Sequence, residues 1–321
     1  MKAAVVSSFG TAPRYEEFPG PAGAGEHDLV IDVIAAGLHP RVRSQAGGTH
    51  YTSTGELPLV PGIDGVGRGA DGLLRYFILP DTRVGAMAEQ TVIDTRRSII
   101  LPSGSDPIAV AAAMNPAMSS WIALRQRVRF HAGQDILVLG GTGSAGQMAV
   151  QIAKLLGAGQ IIAAGRNATR LAGLPALGAT GTVPLDGDAG TAARLLGRAA
   201  GDVDVVLDYL WGQPTAAAMT AVVTGRADRG KPLTWIEIGS VAGSTAPIPS
   251  AALRAAHLTI VGSGQGSVTT REILAELPAL AQEITNGTLD IGARPTPLAG
   301  VEQAWADAAH TPQRIVLTPQ L

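Results

Sequence analysis

The order of apolar and polar positions divides the 321 residues into two kinds of sequence. The first third has short apolar runs separated by glycine, proline and aspartate, which is typical of β-strands joined by turns. These runs are MKAAVVSSF, DLVIDVIAAG, GVGRGADGLLRYFIL and EQTVIDTRRSIIL. From about Ala109 the apolar spacing becomes helical, and AVAAAMN and AMSSWIALRQRV predict two helices, with Pro116 near the start of the second.

The middle of the chain alternates strand-like and helix-like segments. DILVLGG is a continuous apolar run, as expected of a parallel strand covered on both faces, and the amphipathic SAGQMAVQIAKLLG follows it. Five further strand-like runs are QIIAAG, GTVPL, DVDVVLDYL, LTWIEIG and LTIVGSG. This pattern predicts an α/β fold with a doubly wound parallel Rossmann sheet of six strands. The final strand, RIVLTP, is expected to return to the N-terminal domain.

The composition excludes several classes of function. A formal net charge of −2, with 16% charged and 4% aromatic residues, argues against nucleic acid as the main partner. The chain has no cysteine, so disulfides and thiolate zinc sites are excluded. No uninterrupted apolar stretch approaches the roughly 20 residues of a membrane span, and we therefore expect a cytoplasmic protein with no membrane partner.

The segment GTGSAG, residues 141–146, lies between the first central strand and its helix. Its spacing is G-x-G-x-x-G, in which Gly141 permits the tight turn, Gly143 allows a pyrophosphate to approach, and Gly146 allows close helix packing. The helix N-terminus presents N–H groups and a partial positive charge to phosphate. We expect the whole loop to bind a dinucleotide, including the residues between the glycines: Thr142, Ser144 and Ala145. A plain strand-to-helix turn is the alternative.

Arginines stand where NAD-binding sheets usually carry an acid. That acid follows the second strand, about 20 residues after the glycines, and binds the ribose 2′-OH. Here the sequence is Gly165-Arg166-Asn167, with Arg170 one helical turn later. Guanidinium groups bind a 2′-phosphate that a carboxylate would repel, so NADPH is favoured as the cofactor. The alternative is that both arginines are solvated turn and helix residues.

At this point the chain resembles the medium-chain dehydrogenase/reductase superfamily, in particular its zinc-free quinone oxidoreductase branch. The similarity runs through most of the chain in the branch's own order. It is carried by AAGLHPRVRSQAGGTHY, LPLVPGIDGVG, GAMAEQTVID, LGGTGSAGQMAVQIAKLLGA, VDVVLDYLWG and RIVLTP. The resemblance implies a GroES-like substrate domain at residues 1–120 and 265–321, a Rossmann domain at 121–264, and an active site in the cleft between them.

The resemblance also bears on metal use and on the substrate. Metal-dependent relatives hold zinc with an early Cys, a Gly-His-Glu segment and a later Cys. Here Ile63 stands at the His position and no thiol exists, so we predict no metal. Without a Lewis acid, a quinone or conjugated carbonyl is favoured as hydride acceptor because it spreads the incoming charge over its own conjugation.

Two side chains are candidates for contact with the acceptor. Tyr51 matches the branch's pocket tyrosine and could donate a hydrogen bond to the acceptor oxygen; the alternative is a loop aromatic. His39 stands where the branch usually has Asn, and could bind substrate or ribose or supply a proton; the alternative is a satisfied loop histidine. Asp64 is expected to tie a turn to a backbone N–H.

Further cofactor contacts follow from the resemblance. MSSW is expected to open a helix, so that Ser119 and Ser120 offer hydroxyls and backbone N–H groups near the nicotinamide. Gly239 and Ser240 end the fifth strand, where the family's backbone faces the nicotinamide ribose. The glycine-rich residues 262–267 form either a nicotinamide-facing loop or a hinge.

Two other functions remain open at this stage. The first is reduction of an enoyl thioester or another activated alkene, for which a basic entrance could come from Arg41, Arg43, Arg125, Arg127 and Arg129. The second is non-enzymatic, because some relatives serve as lens crystallins or bind RNA while retaining NADPH. In each case a homodimer is expected from the resemblance, with the sixth strand pairing across a two-fold axis.

Overall fold

The computed structural model describes residues 1–23, 25–50, 52–80, 82–311 and 313–319. The chain divides into a terminal unit, Met1–Asn115 with Leu274–Leu321, and a central unit, Pro116–Ile273. The sequence analysis set these limits at residues 120 and 265. The observed divisions fall inside two continuous helices, where no turn or loop marks them in the sequence.

The strands alternate with helices only in the central part of the chain. The strands are β1 Lys2–Val5, β2 Arg14–Glu17, β3 Asp28–Gly37, β4 Asp64–Gly69, β5 Leu74–Ile78, β6 Gln90–Asp94, β7 Ser98–Ile100, β8 Ile136–Leu139, β9 Ile161–Gly165, β10 Gly181–Pro184, β11 Val205–Asp208, β12 Leu233–Glu237, β13 Leu258–Gly262, β14 Ala293–Pro297 and β15 Arg314–Thr318. The helices are α1 Pro40–Ala46, α2 Pro107–Ile122, α3 Ser144–Leu155, α4 Ala168–Leu177, α5 Ala189–Ala200, α6 Gly212–Gly225, α7 Ser250–Arg254, α8 Thr270–Thr285 and α9 Val301–Asp307. Short 3-10 turns at Thr95–Arg97 and Leu298–Gly300 and a π turn at Ala123–Arg127 complete the assignment.

The central unit contains the predicted parallel sheet. Its strand order is β10-β9-β8-β11-β12-β13, in which the chain winds outward in both directions from β8. All four residues of β8 and all five of β9 are buried, as continuous apolar strands in a covered sheet must be. The predicted doubly wound fold is therefore confirmed, with its carboxyl edge formed by the ends of β8, β9, β11 and β12.

The terminal unit is a mixed sheet in the order β14-β15-β3-β4-β5-β7, with β6 also paired to β3. The last strand joins this sheet as expected, because β15 runs antiparallel to β3 with Val316 opposite Gly37. Its core includes buried side chains from several strands and from α9, such as Ile31, Phe77 and Leu317.

The prediction of two helices around Pro116 is wrong. The structure has one helix, α2, that contains Pro116 and continues into the π turn. Proline removes one backbone hydrogen bond, but most of the residues around it are buried, and packing holds the helix together. By length and composition the span Pro107–Arg127 could cross a membrane, although 67% of its most apolar window is buried in the protein.

Candidate functional site

The glycine loop between β8 and α3 leaves no room for a side chain at Gly146. Gly140 has φ +89°, and a Cβ on Gly146 would lie 2.3 Å from the Gly140 carbonyl oxygen. Helix α3 begins at Ser144 with Gly143 as its N-cap, so its first N–H groups have no acceptor within the helix. The geometry therefore provides an anion-binding helix terminus at the carboxyl edge of the sheet.

The end of β9 packs directly against this loop. A Cβ on Gly165 would lie 2.5 Å from Thr142 Cγ2, so any larger residue there would force the Thr142 side chain to move. Arg170 donates from Nη1 to the Thr142 carbonyl oxygen at 3.4 Å, which brings a guanidinium group to the loop. Arg166 is exposed, and Asn167 caps α4 by accepting the Arg170 N–H at 2.9 Å. Asn167 thus has a structural use that the sequence analysis did not assign.

Asp208, the last residue of β11, is fully buried and accepts several hydrogen bonds. Its carboxylate accepts from the backbone N–H groups of Leu210 (2.9 Å) and Trp211 (3.1 Å). It also accepts from Thr215 Oγ1 (2.6 Å) and Trp235 Nε1 (2.9 Å). These bonds hold Trp211 at φ +53°, a conformation that a non-glycine residue rarely adopts, immediately before α6.

The serines of MSSW do not open a helix, contrary to expectation. Both lie inside α2, so their backbone N–H groups belong to the interior of a helix. Ser119 Oγ bonds the Pro116 carbonyl oxygen at 2.8 Å and lies 3.0 Å from the hydroxyl of Tyr209, while Ser120 is fully buried. Burial raises the pKa of Tyr209 to about 12. Tyr209, which directly follows β11, was not among the predicted site residues.

Two further loops reach the same edge of the central unit. Gly239 follows β12 and donates its N–H to the Asp208 carbonyl oxygen at 3.2 Å, and Ser240 beyond it is exposed. Arg127, from the π turn, donates to the carbonyl oxygens of Gly262 (2.8 Å) and Ser267 (3.4 Å). Arg127 therefore ties down both ends of the glycine-rich segment 262–267.

The terminal unit contains a buried polar cluster centred on Asp64. His39 Nε2 lies 2.8 Å from Asp64 Oδ1, and Tyr76 donates its hydroxyl to Asp64 Oδ2 at 2.7 Å. His39 and Asp64 are each 2% exposed and Tyr76 is fully buried. The expectation that Asp64 ties a turn to a backbone N–H is wrong, because β5 pairs with β4 and places the tyrosine hydroxyl against it.

One cation accompanies this cluster. Arg314 on β15 is 8% exposed and donates from Nη1 to the Leu38 carbonyl oxygen at 3.2 Å. Burial lowers its pKa to about 10, and the Asp64 carboxylate acts in the opposite direction. Burial, and then the same carboxylate, raise the pKa of Tyr76 well above its usual range. Both therefore keep their protons at neutral pH.

Comparison with known proteins agrees with this architecture. A family model described as zinc-binding dehydrogenase matches residues 145–283. A probable NADPH-dependent quinone reductase of Emericella nidulans is 29% identical over 99% of this chain and its whole length. A 2-methylene-furan-3-one reductase of Solanum lycopersicum is 28% identical over 48% of this chain and 44% of its own. A quinone oxidoreductase of Thermus thermophilus, solved also with NADPH, is 25% identical with a TM-score of 0.76, covering 99% of this chain and 100% of its own.

These likenesses support the medium-chain dehydrogenase/reductase superfamily, and within it the quinone oxidoreductase-like branch. The zinc in the family description has no obvious set of ligands here. The sequence lacks cysteine, and within the described ranges no group of three His, Cys, Asp or Glu side chains could hold a metal ion. The absence of a catalytic metal stays a prediction.

The structure brings together some of the predicted site residues and not others. The glycine loop, Gly165 and Arg170 are in contact with one another, whereas Tyr51 lies outside the described residues. Beside it, Thr52 accepts a hydrogen bond from Arg41 Nη2 at 2.7 Å. Asp64, the partner of His39, and Tyr76, which bonds Asp64, carried no sequence signal beyond the polar residue in PGIDG.

Proposed function

We propose that the protein is an NADPH-dependent oxidoreductase that binds its dinucleotide at the carboxyl ends of β8 and β9. The contact between Arg170 and the Thr142 carbonyl oxygen carries this proposal, because it brings a cation to the glycine loop where NAD-binding sheets place an acid. Residues 165–170 contain two arginines and no carboxylate. A 2′-phosphate would therefore meet attraction rather than repulsion.

Each part of the site has a defined task in this proposal. The first N–H groups of α3 bind the pyrophosphate, and Arg166 and Arg170 bind the 2′-phosphate. When bound, NADPH supplies a hydride from C4 of its nicotinamide ring. His39 and Tyr51 are the residues assigned to the hydride acceptor or the adjacent ribose.

The favoured acceptor is a quinone or a conjugated carbonyl. The chain has no thiol, and Ile63 stands where metal-dependent relatives have histidine. Its side chains therefore offer no obvious site for a metal ion that could act as a Lewis acid. An acceptor that delocalises the incoming charge needs only hydrogen-bond donors. The named activity of the fungal relative, a probable quinone reductase, supports this class.

Reduction of an activated alkene is the second candidate, supported by the named activity of the tomato relative. An acyl-thioester substrate would want a basic entrance, and several of the candidate arginines have other contacts. Arg43 donates to the Trp305 carbonyl oxygen at 2.8 Å and stacks over its ring, and Arg125 stacks over Trp121. Together with the anchoring role of Arg127, these contacts favour a small enone over a long thioester.

We also propose that the protein forms a homodimer through β13. This strand is an edge of the central sheet, with Ile260 36% exposed and no charged residue or proline to discourage pairing. The opposite edge strand, β10, ends in Pro184. Sedimentation of the protein and of Ile260→Lys should show a dimer and a monomer, respectively.

The cofactor assignment can be tested by binding measurements on Arg166→Ala and Arg170→Ala. Loss of a charge-assisted contact should weaken NADPH binding about tenfold to a hundredfold in each variant and change NADH binding by less than about threefold. Arg194→Ala, at an exposed arginine on α5, is the matched control. Equal losses for both dinucleotides would contradict the 2′-phosphate assignment.

The substrate class can be tested with a panel of quinones, enones, enoyl thioesters and aldehydes, scored by NADPH consumption. Quinones and enones should be reduced, and activity should survive dialysis against a chelator. Aldehyde reduction stimulated by zinc would overturn the metal-free assignment. NADPH binding without turnover of any acceptor would favour a non-enzymatic role.

A further inference from the structure

One edge of the central sheet is β13, and the backbone groups of this strand alternate between β12 and open space. On the inner side, β12 bonds the carbonyl oxygen of His257 at 2.9 Å and the N–H of Ser263 at 2.8 Å, so the odd-numbered residues face β12. Leu258, Ile260 and Gly262 therefore direct their N–H and C=O groups away from the sheet, where another strand can pair with them.

Two of these outward groups are already bonded inside the chain, one near each end of the strand. The Leu258 N–H donates to the Ala256 carbonyl oxygen at 2.8 Å, and the Gly262 carbonyl oxygen accepts from Arg127 Nε at 2.8 Å. The other four groups are the Leu258 C=O, both groups of Ile260 and the Gly262 N–H, and they have no hydrogen bond within the described ranges. The open donors and acceptors are thus arranged symmetrically about Ile260.

This arrangement is complementary to itself. When a second β13 lies antiparallel with Ile260 opposite Ile260, these two residues exchange two N–H···O=C bonds. Each Gly262 N–H then meets the Leu258 C=O of the other copy, which gives two further bonds. The groups that are already bonded, the Leu258 N–H and the Gly262 C=O, face each other. Since β13 carries no charged side chain, the pairing brings no like charges together.

We propose that β13 pairs with β13 of a second copy of this chain in that single register, and that Arg127 selects the register by capping the Gly262 carbonyl oxygen. This inference rests on the proposed homodimer and specifies its interface. A shift that places Val261 opposite Val261 would set the open Ile260 N–H against the capped Gly262 C=O and leave the Leu258 C=O unpaired. The shifted register keeps two of the four bonds, so it should be at least about fivefold less populated.

Arg127 is held in place for this task by a second contact. It ends the π turn at Ala123–Arg127, and its Nη1 also donates to the Ser267 carbonyl oxygen at 3.4 Å. The planar guanidinium group offers donors to both carbonyl oxygens at once, which the single ammonium group of a lysine does less well. Two points of attachment fix the cap at the end of the edge, where a loose side chain would give way to a partner strand.

The register can be measured by cysteine cross-linking, because the chain has no cysteine of its own. In the proposed register the Cα atoms of the two Ile260 residues lie about 5.5 Å apart, which suits a disulfide, so mild oxidation of Ile260→Cys should give covalent dimers. Leu258→Cys alone should give few, since its two copies are about 13 Å apart along the strands. Co-expressed Leu258→Cys and Gly262→Cys chains should cross-link to each other, and a Cβ on Gly262 meets no atom within 4 Å.

Sedimentation of the unmodified protein distinguishes failure of this inference from failure of the proposals before it. A dimer that cross-links through Thr259→Cys or Val261→Cys instead of Ile260→Cys would leave the homodimer in place and overturn the register. A monomer, or a dimer with no cross-link at any position of β13, would overturn the β13 interface and the register together. Failure of the NADPH assignment would affect neither, because the glycine loop takes no part in this pairing.

Arg127→Ala tests the cap. Without the guanidinium group the Gly262 C=O is open, and the register with Val261 opposite Val261 rises from two bonds to four. Val261→Cys should therefore cross-link at least about fivefold more in the Arg127→Ala background than with Arg127 present. Arg127→Lys, which keeps one charged donor, should reverse part of this change, and Arg125→Ala on the same turn should cause none.

Circular dichroism shows whether Arg127→Ala is folded. If it is folded and its Val261→Cys cross-link is no stronger, Arg127 does not set the register. The cysteine scan with Arg127 present, together with Arg127→Lys, tests the same register whether or not the alanine variant folds.

Discussion

Asp64, the first residue of β4, and Asp208, the last residue of β11, are both buried aspartates, and their hydrogen bonds differ in kind. Asp208 accepts from two backbone N–H groups, a threonine hydroxyl and an indole. Asp64 accepts from two side chains, a tyrosine hydroxyl and an imidazole. The four donors to Asp208 are bonded to that carboxylate, whereas His39 has a second ring nitrogen, Nδ1, that is buried without a hydrogen-bond partner among the described residues.

The two carboxylates also differ in how far along the chain their partners lie. Three of the four donors of Asp208 lie within seven residues of it, so the carboxylate closes a local turn between β11 and α6. The partners of Asp64 lie 25 and 12 residues away and meet only when β4, β5 and α1 are in place. Asp208 therefore stabilises a local turn, whereas Asp64 joins elements that are distant in sequence.

The largest expected effect is the loss of stability in Asp208→Ala. The substitution leaves two buried side-chain donors and two partly buried backbone N–H groups without an acceptor and frees the strained Trp211, which should cost about 4 kcal/mol of unfolding free energy. Urea unfolding followed by circular dichroism measures this without relying on Trp235 fluorescence.

Asp188→Ala is the matched control for that measurement. Asp188 also accepts two backbone N–H groups, from Gly190 and Thr191, but it is an exposed N-cap of α5. Its loss should cost about 1 kcal/mol. Similar losses of unfolding free energy in the two variants would show that the burial of Asp208 adds nothing to its stabilising effect. The contrast between Asp208 and Asp64 would then have no basis.

A second prediction concerns the glycine loop next to Asp208. The close backbone contacts of this loop are possible only because its glycines have no Cβ. In Gly146→Ala the new Cβ would meet backbone atoms, the Gly140 oxygen at 2.3 Å and Gly141 Cα at 2.6 Å, so the turn must shift. We expect a loss of about 3 kcal/mol in stability and at least tenfold weaker NADPH binding, measured by urea unfolding and fluorescence titration.

Gly173→Ala tests whether that cost is specific to the close approach. Gly173 lies inside α4 with nothing within 4 Å of an added methyl group, so alanine should stabilise the protein by up to about 1 kcal/mol. NADPH binding should be unchanged. If Gly146→Ala behaves like Gly173→Ala, helix α3 does not pack on the loop as closely as the structure has it.

The same contrast explains which parts of the site could be predicted from the sequence. The glycine loop and the arginines after β9 were predicted because each is defined by spacing within one strand-loop-helix segment. The partners of Asp64 could not be predicted. Tyr76 meets Asp64 through the register between β4 and β5, which places Val66 opposite Tyr76, and His39 meets it from the residue before α1. Register between strands is set by tertiary packing and leaves little trace in local sequence.

Helix α2 shows the limit for local signals as well. Pro116 and two serines indicated a helix start, and the rule behind that prediction is sound for exposed helices. Here the flanking residues Met114, Ala117 and Trp121 are buried, so packing keeps the helix continuous through the proline. Ser119 consequently faces Tyr209 rather than capping a helix.

Apart from the control variants, the smallest expected effect on stability concerns Tyr209, the buried tyrosine of the central unit that bonds a neutral serine rather than a carboxylate. Its folded pKa of about 12 lies above the usual 10, so its contribution to stability is complete below pH 10 and is lost as the pH rises toward 12. At pH 11 the loss should be about 1.4 kcal/mol relative to pH 9. Tyr209→Phe has no such proton, so the stability difference between wild type and variant should shrink by that amount over the same interval, as measured by urea unfolding at both pH values.

Tyr76→Phe should also remove part of the dependence of stability on pH in the alkaline range, because burial and Asp64 raise the pKa of Tyr76 as well. An unchanged slope in Tyr209→Phe would mean that its hydroxyl reaches water, and the contact with Ser119 would then not be a buried one.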